Sequence, residues 1–153
     1  MDPIVARAMA RWPNVPAVYG WLALDRRGNW LIKGERITNH ALRDFIARNY
    51  ESDRAGRWYF QNGPQRVYVT LVYTPLVVHY EGESLADHCG RPFLAEALYV
   101  DDEGSVLIKG ERAVALLDDR DLARFADSEP RLERIQRAEV AGRFGFVVEP
   151  QPG

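Results

Sequence analysis

The feature that most constrains the fold of this 153-residue chain is a hexapeptide that occurs twice. Leu31–Arg36 reads LIKGER, and the same six residues return as Leu107–Arg112. Asp25 and Gly28 precede the first copy, and Asp101 and Gly104 precede the second at the same spacing, so 8 of the 14 positions in 23–36 are identical to those in 99–112. An aspartate that opens and a glycine that closes such a segment predict a turn at both places. Self-similarity of this kind is the signature of a repeated structural unit. The sequence therefore predicts an internal duplication.

A second echo follows in the same order, with AGRWYF at residues 55–60 and AGRFGF at residues 141–146. We interpret both segments as strands, in which alternate side chains point to the same face. Aromatic residues at matched positions indicate core packing. The side chains expected in the core are Trp58, Phe60, Phe144 and Phe146.

The order of elements predicts an α+β fold, antiparallel and sheet-rich, with two duplicated strand–hairpin–helix–strand units packed as one globule. The first unit spans 1–83 with an N-terminal helix and an extra hairpin, and the shorter second unit spans 84–153. Thr38 and Asp118 are the expected N-caps of the two repeated helices. Within Lys-Gly-Glu-Arg, a glycine at the first central position predicts a type II′ turn in both copies.

Composition restricts the classes of function. A formal net charge of −2 gives no basic surface for phosphates, so no nucleic-acid partner is expected. The single cysteine, Cys89, cannot form an internal disulfide and is typical of a reducing compartment. The apolar run 67–78 is too short to cross a bilayer, and residues 1–12 lack the apolar stretch of a signal peptide. We expect a cytoplasmic protein with no membrane partner.

The best candidate binding surface lies in the first unit, around the segment from Gln61 to Arg66. Its amides and its guanidinium could hold a carboxylate or phosphate, because arginine is a planar two-pronged donor. Aromatic residues near it are lost in the second copy, where Tyr59 is replaced by Gly145. Two alternatives stay open, a solvated Asn62-Gly63 hairpin turn and a larger core in the first unit. The predicted ligand-binding residues are Tyr19, Trp21, Tyr59, Gln61, Gln65 and Arg66.

Metal and cofactor sites are not predicted. Asp87-His88-Cys89 contains three ligand types, and His79 could approach it across a hairpin. Neighbouring residues of a strand face opposite ways, however, and the chain has no paired spacing of the zinc kind. We therefore predict no metal, no cofactor and no catalytic residue.

Three longer segments carry a family resemblance. WPNVPAVYGW at residues 12–21, FQNGPQRVYV at residues 60–69 and LLDDRDL at residues 116–122 resemble a family of short proteobacterial proteins known only as a domain of unknown function. The resemblance covers most of the chain and implies no activity, cofactor or catalytic residue. In element order the chain is also similar to another uncharacterised bacterial family, which is built from duplicated α+β motifs and suspected of ligand sensing.

These observations predict a non-enzymatic module that binds a small-molecule ligand or a protein partner. Two alternatives remain. One is an enzyme of unrecognised type with Arg66, His79 or His88 in its site, and the other is a structural adaptor without a pocket. The sequence does not predict an oligomeric state.

Overall fold

The computed structural model describes residues 1–152, which form four α-helices and two mixed β-sheets. The helices are α1 (Pro3–Arg11), α2 (His40–Arg48), α3 (Leu122–Asp127) and α4 (Arg137–Phe144). The chain divides into two compact units. The first comprises Met1–Asp25, Asn29–Val72 and the residues from Phe146 onward, and the second comprises Arg26–Gly28 and Tyr73–Gly145.

The sheet of the first unit has six strands in the order β3-β2-β1-β6-β5-β4. These strands are β1 (Val18–Leu24), β2 (Trp30–Ile32), β3 (Glu35–Arg36), β4 (Tyr50–Ser52), β5 (Trp58–Asn62) and β6 (Gln65–Leu71). The sheet of the second unit has seven strands in the order β13-β10-β11-β12-β7-β8-β9. They are β7 (Leu76–Glu81), β8 (Ser84–Asp87), β9 (Pro92–Phe93), β10 (Ala97–Val100), β11 (Val106–Lys109), β12 (Val114–Leu117) and β13 (Glu133–Arg134).

Each sheet contains two three-stranded antiparallel meanders, and in the second sheet β13 adds a seventh strand that pairs in parallel with β10. In the first, β1 pairs in parallel with β6, and in the second β7 pairs in parallel with β12. In each unit, therefore, the first strand of the first meander pairs with the last strand of the second meander. The predicted α+β class and its antiparallel, sheet-rich character are confirmed, whereas the parallel pairs were not predicted.

The compact units do not divide where the repeats were expected to divide. The boundary lies between Val72 and Tyr73, and β7 belongs to the second sheet because its backbone pairs with β8 and β12. The predicted division of the chain into repeats 1–83 and 84–153 concerns the duplication of the sequence and stays a prediction. The common connection of strands relates β1–β6 to β7–β12, whereas the repeated hexapeptide relates β2 to β11, so the two correspondences differ.

Four turns of one type connect strands in both units. In each, the aspartate carboxylate accepts the N–H of the residue four positions later at 2.8–3.0 Å, and a glycine takes the left-handed conformation with φ between 81° and 84°. Only glycine adopts this conformation without strain. The turns are Asp25–Asn29, Asp53–Arg57, Asp87–Arg91 and Asp101–Ser105. The sequence analysis identified the first and last of them, whereas the segment that contains Asp87, His88 and Cys89 was considered for metal binding and is a turn.

The two copies of Lys-Gly-Glu-Arg form different turns. In the first, Lys33 and Gly34 are the central residues, with φ of 50° and 81°, which is a type I′ turn and corrects the type II′ prediction. In the second, Lys109 pairs with Val114 and leaves a four-residue loop. Gly110 in that loop lies beneath Phe93, and a Cβ there would be 2.7 Å from the ring. The same tetrapeptide therefore needs its glycine for a turn conformation in the first copy, at Gly34, and for close packing in the second, at Gly110.

The second sequence echo was interpreted wrongly. Residues 55–60 form a turn and β5, but residues 141–146 end α4, with Gly145 as its left-handed cap. A capping box between Gln136 and Glu139 starts this helix and overrides the resemblance to a strand. Trp58, Phe60 and Phe146 are buried as expected, whereas Phe144 is half-buried.

The helix starts were predicted with mixed success. Asp118 caps a short 3-10 helix, Asp119–Asp121, that leads into α3, and its side chain accepts the N–H of Arg120 at 3.0 Å. In α2 the cap is Asn39 rather than Thr38, and its side chain accepts the N–H of Leu42 at 2.9 Å. Within residues 1–152, none of the helices has the length and apolar character needed to cross a membrane.

Candidate functional site

The hairpin of β5 and β6 presents different chemistry on the two faces of the first sheet. Side chains alternate along each strand, so Tyr59 and Gln61 project to one side and Phe60 to the other. Phe60 packs against α2, with its ring 5.5 Å from that of Phe45. The opposite side carries polar and aromatic groups. We call it the tyrosine face and define it by Tyr19, Tyr59, Gln61, Arg66 and Tyr68.

Arg66 is held on the tyrosine face mainly by stacking. Its guanidinium carbon lies 3.8 Å from the centre of the Tyr59 ring, a cation–π geometry. Its Nε donates to the side-chain oxygen of Gln61 and a terminal nitrogen to the Tyr68 hydroxyl, both at the long distance of 3.5 Å. Among the described residues no carboxylate forms an ion pair with Arg66. An arginine has five N–H donors, so most of its capacity is unused within the protein.

Gln61 positions Arg66. It is 1% exposed, and its amide nitrogen donates to the carbonyl oxygen of Gly63 at 3.1 Å, which orients its oxygen toward Arg66. Burial raises the pKa of the Tyr59 hydroxyl, although the charge of Arg66 opposes that change. At neutral pH the Tyr59 ring is therefore a neutral platform for the cation.

Two other members of the tyrosine face, Tyr19 and Tyr68, are held by a second set of contacts that includes Asp53. Tyr19 and Tyr68 stack with ring centroids 4.9 Å apart and an angle of 15°. Asp53 accepts the Tyr68 hydroxyl at 3.1 Å and the Arg57 guanidinium at 2.8 Å. Burial raises the pKa of Asp53, but the hydrogen bonds from the Arg57 backbone, the Arg57 side chain and Tyr68 outweigh it, so the pKa is lowered. Asp53 therefore carries a negative charge that Arg57 balances, and it leaves Arg66 unpaired.

The tyrosine face forms one wall of a cavity of about 320 Å3 that we call the Arg66 pocket. Helix α1 and the segment after it form the other wall. Their lining residues are Met9, Trp12, Pro13, Val15 and Ala17, and Pro64 completes the rim. Arg66 is the one ionised side chain among the lining residues. The pocket thus combines a single cation with aromatic and apolar walls.

Trp21 and Gln65 do not belong to this pocket. Strict alternation would put Trp21 beside Tyr19, but the register of β1 against β6 shifts between Val18 and Leu22, where Gly20 has a φ of 74°. Between these pairs β1 has two residues more than β6, and in this irregular stretch Trp21 lies among the residues that line the other face. Gln65 faces the same way as Trp21. The predicted ligand-binding set is therefore divided between two faces, with Tyr19, Tyr59, Gln61 and Arg66 together.

The face toward α2 contains a second cavity, of about 420 Å3, which we call the helix-side cavity. It lies between α2 and the sheet and includes both Trp21 and Gln65 in its lining. Trp21 remains 50% exposed, and the ammonium of Lys33 lies 4.4 Å from the centre of its ring.

The second unit holds the histidines considered for chemistry. His79 and His88 line a polar cavity of about 390 Å3, and the Nδ1 of His88 accepts the N–H of Val77 at 3.2 Å. The cations of that cavity are committed to ion pairs, Arg27 with Asp119 and Arg120 with Asp118. Over residues 1–152, no group of three or more candidate ligands is arranged to hold a metal ion.

The surroundings of Cys89 disfavour its thiolate. Burial raises the pKa of its thiol to about 12, and the negative charge of Asp87 adds to the effect. The thiolate is the reactive form, so the side chain is inert near neutral pH. Its backbone N–H donates to Asp87, which is the role that the turn requires.

Sequence reasoning missed several residues of the Arg66 pocket. Tyr68 follows Arg66 at a spacing of two, so the alternation along β6 could have placed both on one face. The side chains of Met9, Trp12 and Val15 come from a segment that looked like an ordinary helix and its exit. No local pattern indicates that this segment covers a strand more than 40 residues later in the chain.

Residues 1–151 match the protein-family model DUF2944, which is described as a protein of unknown function (DUF2946). The expected resemblance to a family of unknown function is thereby confirmed. None of the curated proteins matches the chain.

Two solved structures are similar. One is a DUF1285 family protein from Silicibacter pomeroyi DSS-3, with a TM-score of 0.56 and 18% identity over 83% of this chain and 84% of that one. The other is a DUF1285 family protein from Shewanella baltica OS155, with a TM-score of 0.53 and 14% identity over 69% of this chain and 90% of that one. At such identities the likeness shows the fold alone.

Proposed function

We propose that this chain, which belongs to the DUF2944 family of proteins of unknown function, is a module that binds a small anionic ligand in the Arg66 pocket. The ligand we propose has a carboxylate or phosphate group attached to an aromatic or short apolar body. The family gives no activity from which to start, so the proposal stands on the chemistry of the pocket.

One observation carries the proposal. Arg66 stacks on Tyr59 at 3.8 Å and makes two hydrogen bonds of 3.5 Å, while the described residues offer it no carboxylate. A cation held in place with unused donors favours an external anion, because little side-chain freedom is lost when the anion binds. Charge-assisted hydrogen bonds to guanidinium are also shorter and stronger than neutral ones.

The walls of the pocket favour a ligand with an apolar body. Tyr19 and Tyr68 present stacked rings, and Trp12 and Met9 lie across from them. Burial of apolar ligand surface against such walls supplies affinity, while the charged end sets orientation. At about 320 Å3, the cavity falls at the small end of the usual range for small-molecule sites, about 300–1,000 Å3.

The same lining favours binding over catalysis. It contains no carboxylate or imidazole, the groups that most often transfer protons in catalysis, and the Asp53 carboxylate beside Tyr68 is engaged with Arg57. We also propose a cytoplasmic location, since the single cysteine, Cys89, is a free thiol and free thiols are typical of a reducing compartment.

Isothermal titration calorimetry with phenyl phosphate tests the proposal, with phenol as the uncharged control ligand. The wild-type chain is expected to bind phenyl phosphate and to bind phenol far more weakly. Arg66→Gln should weaken phenyl phosphate binding by about 10- to 100-fold, the scale of a hydrogen bond to a charged group.

Arg134→Gln is the matched control, because Arg134 is exposed on β13 in the second unit. Its affinity should equal that of the wild type. Equal affinities for Arg66→Gln and wild type, with both chains folded by circular dichroism, would show that Arg66 is not the anion-binding group.

A further inference from the structure

We infer that the helix-side cavity is a second binding site, for a neutral amphiphile with an apolar chain or ring that ends in an amide or hydroxyl group. The site lies on the face of the first sheet opposite the Arg66 pocket. It shares the β5–β6 hairpin with that pocket but none of its lining residues. The inference is therefore independent of the proposed function.

The size and walls of the cavity define the apolar part of the ligand. Eight of its ten lining side chains are apolar, and the largest are Trp21, Leu42 and Phe60. A volume of about 420 Å3 corresponds to about 14 water-sized volumes, enough for a chain of about ten heavy atoms. Apolar cavities of this kind gain affinity by removing ligand surface from water.

The charge of the lining excludes an ionised ligand. None of the ten lining side chains is ionisable, and the Lys33 ammonium lies outside the lining, over the half-exposed Trp21 ring, so a charged group inside the cavity would have no partner among the lining residues. Burial of an unpaired charge in apolar surroundings is strongly unfavourable. The anion preference that we propose for the Arg66 pocket therefore does not extend to this face.

Two amides define the polar end of the ligand. Asn62 and Gln65 lie opposite each other at the end of the β5–β6 hairpin and are the two polar members of the lining. Within residues 1–152 neither side chain hydrogen-bonds to another group of the chain. An amide both donates and accepts, which matches an amide or a hydroxyl on a ligand better than it matches a charged group.

The mouth of the cavity exposes apolar surface that would otherwise be unfavourable. Trp21 is 50% exposed and Leu42 is 38% exposed. Trp21 reaches this side through the irregular part of β1 at Gly20. Gly20 has a positive φ, and a Cβ built on it would meet no atom within 4 Å. The backbone conformation, and not a lack of space, is therefore the reason for a glycine at this position. Apolar side chains grouped at the rim of a cavity mark a binding site more often than scattered ones do.

The test is a titration of the full chain with octanamide, followed by calorimetry and by amide-proton NMR. Octanoate and octylamine serve as charged ligands of the same length. We expect saturable shifts of Ile32, Ile46 and Val67 with octanamide, and at least tenfold weaker binding at these residues for both charged ligands.

Two variants localise the site. Val67→Phe places a ring in the cavity, and Trp21→Ala removes a wall from a half-exposed position that does not support the core. Each should weaken octanamide binding at least tenfold. Leu94→Ala, which removes an 84% exposed apolar side chain in the second unit, should not alter it.

Three results would overturn the inference. They are the absence of saturable binding up to the solubility limit of octanamide, equal binding of octanoate at the same residues, and wild-type affinity in Trp21→Ala. Dispersed NMR spectra of both variants exclude misfolding as the reason for a loss of binding.

Discussion

Arg66 depends on neighbours from its own hairpin for its position, and Gln61 is the neighbour that can be changed most conservatively. Gln61→Glu keeps the shape of the side chain and puts a carboxylate where an amide oxygen now lies 3.5 Å from the guanidinium. The new ion pair would occupy Arg66, so an external anion would have to displace it.

We predict that Gln61→Glu lowers the affinity for phenyl phosphate by about tenfold, an effect on the scale of one charged hydrogen bond. Calorimetry against Gln65→Glu provides the comparison, because Gln65 carries the same change to the opposite face of the sheet. An equal loss in both variants would mean that net charge, rather than contact with Arg66, governs binding.

Gly28 illustrates how a single residue answers two constraints. Its φ is 82°, and a Cβ at this position would lie 2.6 Å from the Cβ of His88. Gly104 has almost the same φ, 83°, but a Cβ built on it would have no other atom within 4 Å. The two positions separate the cost of backbone strain from the cost of a steric clash.

Gly104→Ala should lower the free energy of unfolding by about 1–2 kcal/mol, the strain of a left-handed alanine. Gly28→Ala should lower it by clearly more, because His88 must also move. Urea denaturation of both variants measures the difference. Identical losses would show that the approach of His88 adds nothing.

Cys89 provides a third residue-level prediction. Because burial raises its thiol pKa to about 12, the folded chain contains almost no thiolate at pH 8. Alkylation by iodoacetamide should be at least tenfold slower in the native chain than in the same chain in denaturing urea. Mass spectrometry at timed intervals gives both rates, and equal rates would contradict the burial of the thiol.

At the scale of the element, the Asp-x-x-Gly turn is the recurrent device of this fold. The carboxylate satisfies backbone N–H groups, and the glycine closes the turn. Asp53 adds hydrogen bonds from Arg57 and Tyr68, so this turn also supports the tyrosine face.

The lowered pKa of Asp53 makes this support depend on pH. A carboxyl whose folded pKa lies below its unfolded value stabilises the fold above the unfolded value and loses that effect as the pH falls through the folded one. We predict that wild type is more stable than Asp53→Asn at pH 7 and that the difference shrinks below about pH 3.8. Thermal melts from pH 2.5 to 7 measure it, and a difference independent of pH would contradict the linkage.

Much of the element inventory could be read from the sequence, and the failures have local causes. The turns at Asp25 and Asp101 carry their signal within five residues, and so were predicted. Trp21 was grouped with Tyr19 in the predicted ligand-binding set, because a period of two does not reveal the irregularity of β1 between Val18 and Leu22. The strand predicted at residues 141–146 is wrong because these residues resemble β5 in sequence but belong to the end of a helix that starts at the capping box of Gln136.

At the scale of the whole molecule, the strands of the two units are connected in the same way, but the surfaces of the two units differ. Both join two meanders through a parallel pair, β1 with β6 and β7 with β12. A helix, α2, links the two meanders of the first unit, and none of the described helices lies at the corresponding link in the second. The chemistry that we propose for binding belongs to the first unit, as expected if a duplicated scaffold were specialised in one copy.

The sequence could indicate that the proposed binding residues lie in the first unit, but it could not show which of them share a pocket. Gln61 and Arg66 were recognisable as polar neighbours of a turn. Their common pocket depends on α1 and the segment through Ala17, which lie far away in the chain and meet the tyrosine face only after folding. Long-range packing of this kind leaves no periodic trace in the sequence.

The most direct test of Arg66 as the anion-binding group is the NMR signal of its Nε–Hε during a titration with phenyl phosphate. We expect this signal, assigned by its loss in Arg66→Gln, to shift saturably with the dissociation constant found by calorimetry. It should not shift with phenol. A titration that moves the Nε–Hε signals of other arginines while that of Arg66 stays in place would contradict the proposed site.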